Sequence, residues 1–479
     1  MRANLSESRP NQAAVPVNPY TWSAQRKAFV FIIGAIAVAN STLGSALPSG
    51  AVGYIASEFG VDNEQQLILP ITCYLVGYIL GPVVFGPLSE TYGRRPVTLL
   101  TFAFYTVFTL ACALAPTFAA LVVFRLFAGV FASSPPAVTG GIYADIFLDP
   151  KSRGRAMAGY MAATTLGPTL GPLMSGYLSE EMNWRWTFWV ALIIIGASWP
   201  FLLLLPETFG PVLQRNGVAT HSHSTITTNP NFPVSTQLTR ANWHHLFTKV
   251  LVRPINMVCT ESIVLFSCLY LSLTYAIFYL FFESYPIIFE DMYGLTPGEC
   301  GLMFIPIGVG ALLSFILYLM YDCIYQRAQA RGRHWIQVEE YRRLPLACLG
   351  GPLFSAAIFW LAWSATPSVH WIVPAIAGVP FGIGFLLIFM ALINYIADAY
   401  GVFAASALAA ASGTRSVVGA VLPLATNAMY GRLGVHWATS LLGFLSLLMA
   451  IIPFAFIRFG HHLRENSKFS QALKTSEQK

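Results

Sequence analysis

Ionisable side chains of this chain lie inside or at the ends of long apolar runs. Arg125 sits deep in LVVFRLFAGVFASSPPA, residues 121–137. Glu261 follows RPINMVCT, about two turns into a later run, and Asp398 lies near the end of another. A charge in such a run is tolerated when it meets the bundle interior, water or a counter-charge. Arg125 must therefore face one of these. Glu261 facing a cavity could carry a proton or hold a cationic substrate; hydrogen-bonded to a neighbouring segment, it would be a packing carboxyl. A second set is aromatic: Tyr74, Tyr78, Tyr270, Tyr275, Tyr279 and Tyr395, with Asn394 and Arg415 on the same kind of run. Gathered round a cavity, such walls bind flat hydrophobic molecules with little directional demand. Singly, each tyrosine could equally face lipid or fill a core. A third feature is the connection GPLSETYGRRP, residues 86–96, which packs Glu90, Arg94 and Arg95 between nearly uncharged runs.

The elements that must position these residues follow from composition. The chain has 479 residues, 56% hydrophobic and 10% charged, against roughly 25% charged in soluble domains. Its apolar runs recur at about 20 residues, the length that crosses a bilayer. Each must be helical, because lipid offers backbone groups no partner. Twelve runs predict an all-α polytopic membrane protein with two six-helix halves. The expected layout is a tail at 1–27, a first half at 28–205, a polar linker at 206–253, a second half at 254–457 and a tail at 458–479. With both termini in the cytosol, every Lys and Arg except Arg125, Arg185, Arg415 and Arg432 falls on the inside, as the positive-inside rule expects. The outside loops then collect Glu58, Asp62, Glu64, Glu180, Glu181, Glu283, Glu290 and Asp291.

Several chemistries are excluded. The seven cysteines form no CxxC pair, and no phosphate-binding GxxxxGK[ST] loop is present. No histidine lies in the middle of a run, which argues against a membrane enzyme. His221, His223, His244 and His245 read as part of a solvated linker and not as a metal site. The expected partners are a small-molecule substrate, protons and the lipid bilayer, with no nucleic acid, cofactor or metal, in a monomer.

GPLSETYGRRP resembles the signature loop of the major facilitator superfamily, through Gly86, Glu90, Gly93, Arg94 and Arg95. The spacing of Leu121, Arg125 and Gly129 is similar to a second motif of that superfamily, linked there to proton coupling. GYMAATTLGPTLGPLMSGYL, residues 159–178, resembles its antiporter motif, with Gly159, Gly167, Pro168, Gly171, Pro172 and Gly176. NWRWTFW at 183–189, PET at 206–208, NYIADAYGVFAASALAA at 394–410 and GAVLPL at 419–424 resemble the fungal twelve-span drug–proton antiporter family. The resemblance implies proton-coupled efflux of drugs, toxins or secondary metabolites by alternating access, in the plasma membrane or alternatively the vacuolar one. It implies proton coupling through Arg125; Glu261 and Asp398, from their places in the runs, are the candidate carriers, and Asp398 could equally serve the second half's gate. It also implies a cytosolic latch between the halves, in which Gly86 allows close helix approach, Glu90 sits at a helix N-terminus and Arg94 forks onto Asp145. A proton-coupled nutrient importer and a polyamine exporter are the rival readings; the span-5 motif argues against the first and the scarcity of cavity carboxylates against the second.

Overall fold

The structure, a computed structural model, describes residues 19–213, 252–400, 404–465 and 467. The four linker histidines lie outside the described residues. Among the described residues all regular structure is helical. Spans 1 to 6 are Ala24–Ala46, Leu69–Tyr92, Arg94–Ala113, Phe118–Ile146, Pro150–Glu181 and Arg185–Leu203. Spans 7 to 10 are Ser262–Tyr285, Pro297–Ala330, Leu344–Ser364 and Ile372–Tyr400. Span 11 starts at Ala404 and passes a tight turn at Leu422–Ala425. It ends at Gly434, whose φ of +72° swings the chain into span 12, which runs to Glu465.

Local chemistry sets these limits. Ser23 accepts the Arg26 N–H, Thr117 accepts the Ala120 N–H, and Asp149 accepts the N–H groups of Lys151 and Ser152. Each thereby satisfies donors that a helix start leaves unpaired. Asp149 is consequently held below the usual carboxylate range, first by the Lys151 N–H and then by that of Ser152. Span 4 breaks at Ser133, and Pro135 sits at the start of the next segment, where a missing N–H is harmless. Span 5 is the least apolar of the twelve; its glycines, threonines and serines pack against protein. Large apolar side chains such as Leu100, Val107, Ile193, Trp363 and Leu448 cover the outside, as a lipid-facing surface requires. The protein is a multi-pass membrane protein.

Several boundaries depart from the sequence reading. Span 1 begins at Ala24 and span 12 ends at Glu465, so the terminal helices run past the apolar stretches into polar sequence. Glu283, expected in an outside loop, lies within span 7, which continues through Tyr285 because Phe281, Phe282, Ser284 and Tyr285 are all buried there. The halves meet where span 2 packs on span 11 and span 5 packs on span 8.

Candidate functional site

With an even number of spans, Ala24 at the start of span 1 and Glu465 at the end of span 12 lie on one face of the bundle, the termini face. There Arg94 opens span 3 directly after Gly93, whose φ of +104° makes the turn. Its Nε donates to Asp145 Oδ2 at the end of span 4 over 3.1 Å, and its Nη1 donates to Ser89 Oγ over 2.7 Å. Glu90 lies 3.8 Å from the same guanidinium and is largely exposed.

Two expectations for this loop are corrected. Glu90 sits in the last turn of span 2, away from any helix start. The carboxylate at the start of span 3 belongs to Glu207 of the PET segment, which accepts the Arg94 N–H at 2.9 Å and the Arg95 N–H at 3.1 Å. Gly93 permits that approach, since a Cβ there would overlap Glu207 Oε2. Gly86, expected to allow close helix approach, has open space where its Cβ would be.

The side-chain partners of Arg94 all belong to the first half. Among the described residues, the ion pair that crosses between halves on this face is Arg155 with Asp322, 2.8 Å apart, from spans 5 and 8. The second half repeats the Arg94–Asp145 arrangement. Arg343, just before span 9, donates from Nε to Asp398 Oδ2 at the end of span 10 over 2.8 Å, and from Nη1 to the Tyr318 hydroxyl over 3.3 Å. Asp149 and Lys151 of the first half, with Tyr318, Asp322 and Arg343 of the second, line a cavity of about 430 Å³. Glu261 stands at the break before span 7, buried, and accepts the Tyr400 hydroxyl at 3.1 Å. It takes the place of a carboxyl bonded to a neighbouring span, apart from the tyrosine cluster.

Arg125 is buried at the centre of the first half. It donates to three backbone carbonyls: Pro70 at 2.8 Å, Gly44 at 2.7 Å and Ser45 at 3.1 Å. Gly44 and Ser45 belong to the last turn of span 1, where carbonyls lack helical partners and a cation is favoured. The Tyr74 ring lies 4.3 Å from the guanidinium carbon, a cation–π contact. Carbonyls and a ring, not a carboxylate, therefore hold this charge.

Beside Arg125 the tyrosines gather. The Tyr74 hydroxyl donates to the Ser41 carbonyl at 2.6 Å, and the hydroxyls of Ser41 and Tyr78 are hydrogen-bonded. The rings of Tyr275 and Tyr279 lie 4.7 Å apart on span 7, and Arg415 sits 5.3 Å above the Tyr275 ring. Ser45 and Tyr279, from opposite halves, share a hydrogen bond of 2.7 Å. Three expected members fall elsewhere. Tyr270, five residues from Tyr275, lies on another face of the helix and abuts Gly351 of span 9. Tyr395 packs on Phe456 of span 12, ring centroids 5.6 Å apart, and the Asn394 amide turns back onto the Met390 carbonyl at 2.7 Å.

Span 5 supplies the close approach its glycines suggest. A Cβ at Gly167 would overlap Thr42 and stand 2.7 Å from the Leu43 nitrogen; at Gly171 it would stand 2.7 Å from Ala46 Cβ. At Gly159 it would meet Phe31, and at Gly176 it would overlap the Pro297 carbonyl of the second half. Pro168 and Pro172 lie inside the helix between these contacts. At the face opposite the termini, Glu180 accepts the Gly298 N–H at 2.7 Å, which ties the halves there as well. Sequence reasoning missed Glu207, Asp322 and Arg343 as site residues. Only Glu207 carried a signal, in the PET triplet.

Residues 31–423 match the family described as Major Facilitator Superfamily. Efflux pump FUB11 of Gibberella moniliformis is 37% identical over 92% of this chain and 74% of its own length. The major facilitator superfamily multidrug transporter mdrA of Aspergillus fumigatus is 35% identical over 95% of this chain and 74% of its own. Among solved structures, the proton:xylose symporter XylE superposes with a TM-score of 0.66 at 15% identity, over 91% of this chain and 97% of XylE. The twelve spans, the two-half arrangement and these similarities agree: the chain belongs to the Major Facilitator Superfamily and is a membrane transporter.

Proposed function

We propose that the protein is a proton-coupled efflux transporter that carries hydrophobic or amphipathic organic molecules outward by alternating access, with its termini face in the cytosol. The observation that carries this reading is the Arg125 site. It places a fixed charge beside the tyrosine cluster and ties it through Ser45 to Tyr279 of the other half. The fungal relatives named efflux pump and multidrug transporter support the outward direction. In this reading Tyr74, Tyr78, Tyr275, Tyr279 and Arg415 line the substrate path, and Arg125 sets its charge. Asp398 is the carboxyl that exchanges protons on the termini face, and Glu261 anchors the start of span 7 to Tyr400. A proton on Asp398 removes the partner of Arg343, and with it a restraint on Tyr318 at the cavity rim. Arg94, Asp145 and Glu207 brace the first half while Arg155 and Asp322 close the cleft. The transporter works as a monomer in the plasma membrane.

The test is a panel of aromatic organic compounds in inside-out vesicles with an imposed proton gradient. Wild type accumulates substrate only with the gradient, and Arg125→Ala abolishes this while still reaching the membrane. Gradient-independent uptake by wild type, or full transport by Arg125→Ala, overturns the reading.

A further inference from the structure

The face opposite the termini holds a second cavity, of about 420 Å³, between the halves. Its walls include Tyr54 and Leu67 from the first half and Phe282, Glu283, Asn427 and Tyr430 from the second. Glu290 and Asp291, just beyond span 7, also face it, and no Lys, Arg or His is among its lining residues. Glu283 differs from its neighbours in its pairing. Glu290 is not among the buried side chains left without a hydrogen-bond partner. Glu283 as a residue is partly accessible, yet its Oε1 is sealed from solvent and has no hydrogen-bond partner. Its position on span 7 is also specific. Tyr279 lies one turn away at i−4, hence on the same face, and Tyr275 lies one turn further. Glu283 thus stands in line with Tyr279, whose hydroxyl meets Ser45, whose carbonyl meets Arg125.

We propose that Glu283 is the carboxyl through which the transporter exchanges its proton with the outside. This rests on the proton-coupled reading above and names the residue that serves it at the outer face. A sealed carboxyl oxygen requires a donor, and none of the donors lining the cavity, the Tyr54 and Tyr430 hydroxyls and the Asn427 amide among them, reaches it. Glu290 and Asp291 add like charge from the turn after span 7, Tyr54 and Tyr430 bring phenols from the two halves, and Glu180 bonds Gly298 nearby. The cations in this region are engaged or displaced: Arg185 pairs with Glu58, Arg415 sits over Tyr275 two turns inward, and Arg432 is exposed. With no cation among the described residues placed to pair with it, a proton bound at Oε1 is what neutralises this carboxyl. When the outer cleft opens, it can enter from water onto Oε1. When the halves rock, the outer cleft closes over the protonated carboxyl.

The experiment uses full-length protein in proteoliposomes and compares wild type, Glu283→Gln and Glu283→Asp. Two readouts are taken with one substrate: gradient-driven accumulation, and substrate exchange at equal pH on both sides, which needs no net proton movement. Glu283→Gln is expected to lose at least ten-fold in gradient-driven accumulation while keeping exchange within about two-fold of wild type, and Glu283→Asp to restore part of the accumulation. Normal accumulation by Glu283→Gln overturns the proposal. So does loss of both readouts, which would make Glu283 a structural or substrate-binding residue. Absence of gradient-driven transport in wild type refutes the proton-coupled reading itself, a distinguishable result.

Discussion

Ser45 Oγ and the Tyr279 hydroxyl lie 2.7 Å apart, one from each half of the bundle. The same Ser45 gives its backbone carbonyl to Arg125. One residue at the end of span 1 therefore joins the buried charge of the first half to the aromatic wall of the second. Tyr279→Phe keeps the ring and removes this bond. A single hydrogen bond contributes about 0.5–1.5 kcal/mol, or roughly 2- to 13-fold in an equilibrium. Transport turnover should change by that order with substrate affinity nearly unchanged, measured as rate against substrate concentration. A large loss of affinity with unchanged turnover would place Tyr279 in substrate binding alone.

Glycine substitutions separate packing from sequence likeness. Gly167→Ala drives a methyl into Thr42 and Leu43, and overpacking costs about 1–3 kcal/mol. Gly86→Ala meets nothing, and a helical alanine is favoured over glycine by about 0.5–1 kcal/mol. Thermal unfolding in detergent should show a lower melting temperature for Gly167→Ala and an unchanged or higher one for Gly86→Ala. Equal behaviour of the two would contradict the packing described for span 5.

Glu207→Ala removes the acceptor for two N–H groups at the start of span 3. Loss of a helix cap destabilises by about 0.5–2 kcal/mol. The same substitution at Glu90, which is exposed, should change stability much less. The two melting temperatures decide whether Glu207 or Glu90 is the acidic residue on which the loop depends.

Arg155 and Asp322 make a partly exposed pair between the halves. Such pairs contribute about 0–1 kcal/mol, enough to shift the balance of closed and open clefts by at most about five-fold. Asp322→Arg alone should raise labelling of a nearby engineered thiol on the termini face. Adding Arg155→Asp should reverse it. Failure of the double variant to recover would mean that the pair does not bias the cleft.

Much of this was legible in the sequence, because hydropathy and charge placement report directly on lipid and on the two membrane faces. The twelve spans, the six-plus-six division and the Arg94–Asp145 partnership needed no more than that and the motif likeness. The partners of Arg125 were hidden, because orphan carbonyls at a helix end leave no mark in residue type. Glu207 was hidden because it reaches the start of span 3 from more than one hundred positions away. Tyr270 and Tyr395 were misplaced because an aromatic residue in a span says nothing about which face it occupies. Glu283 looked like a loop acid, since a charge at the end of an apolar run marks a boundary unless neighbouring residues bury it.

The central claim is that the two halves rock, so that one face closes as the other opens. It is tested most directly by paired distance measurements between spin labels in lipid nanodiscs. One pair, at Lys151 and Gln329, spans the termini face; the other, at Glu181 and Thr296, spans the opposite face. The account predicts that changing pH and adding substrate shift the two distances in opposite directions. Two distances that stay fixed under every condition, or that lengthen and shorten together, would contradict it.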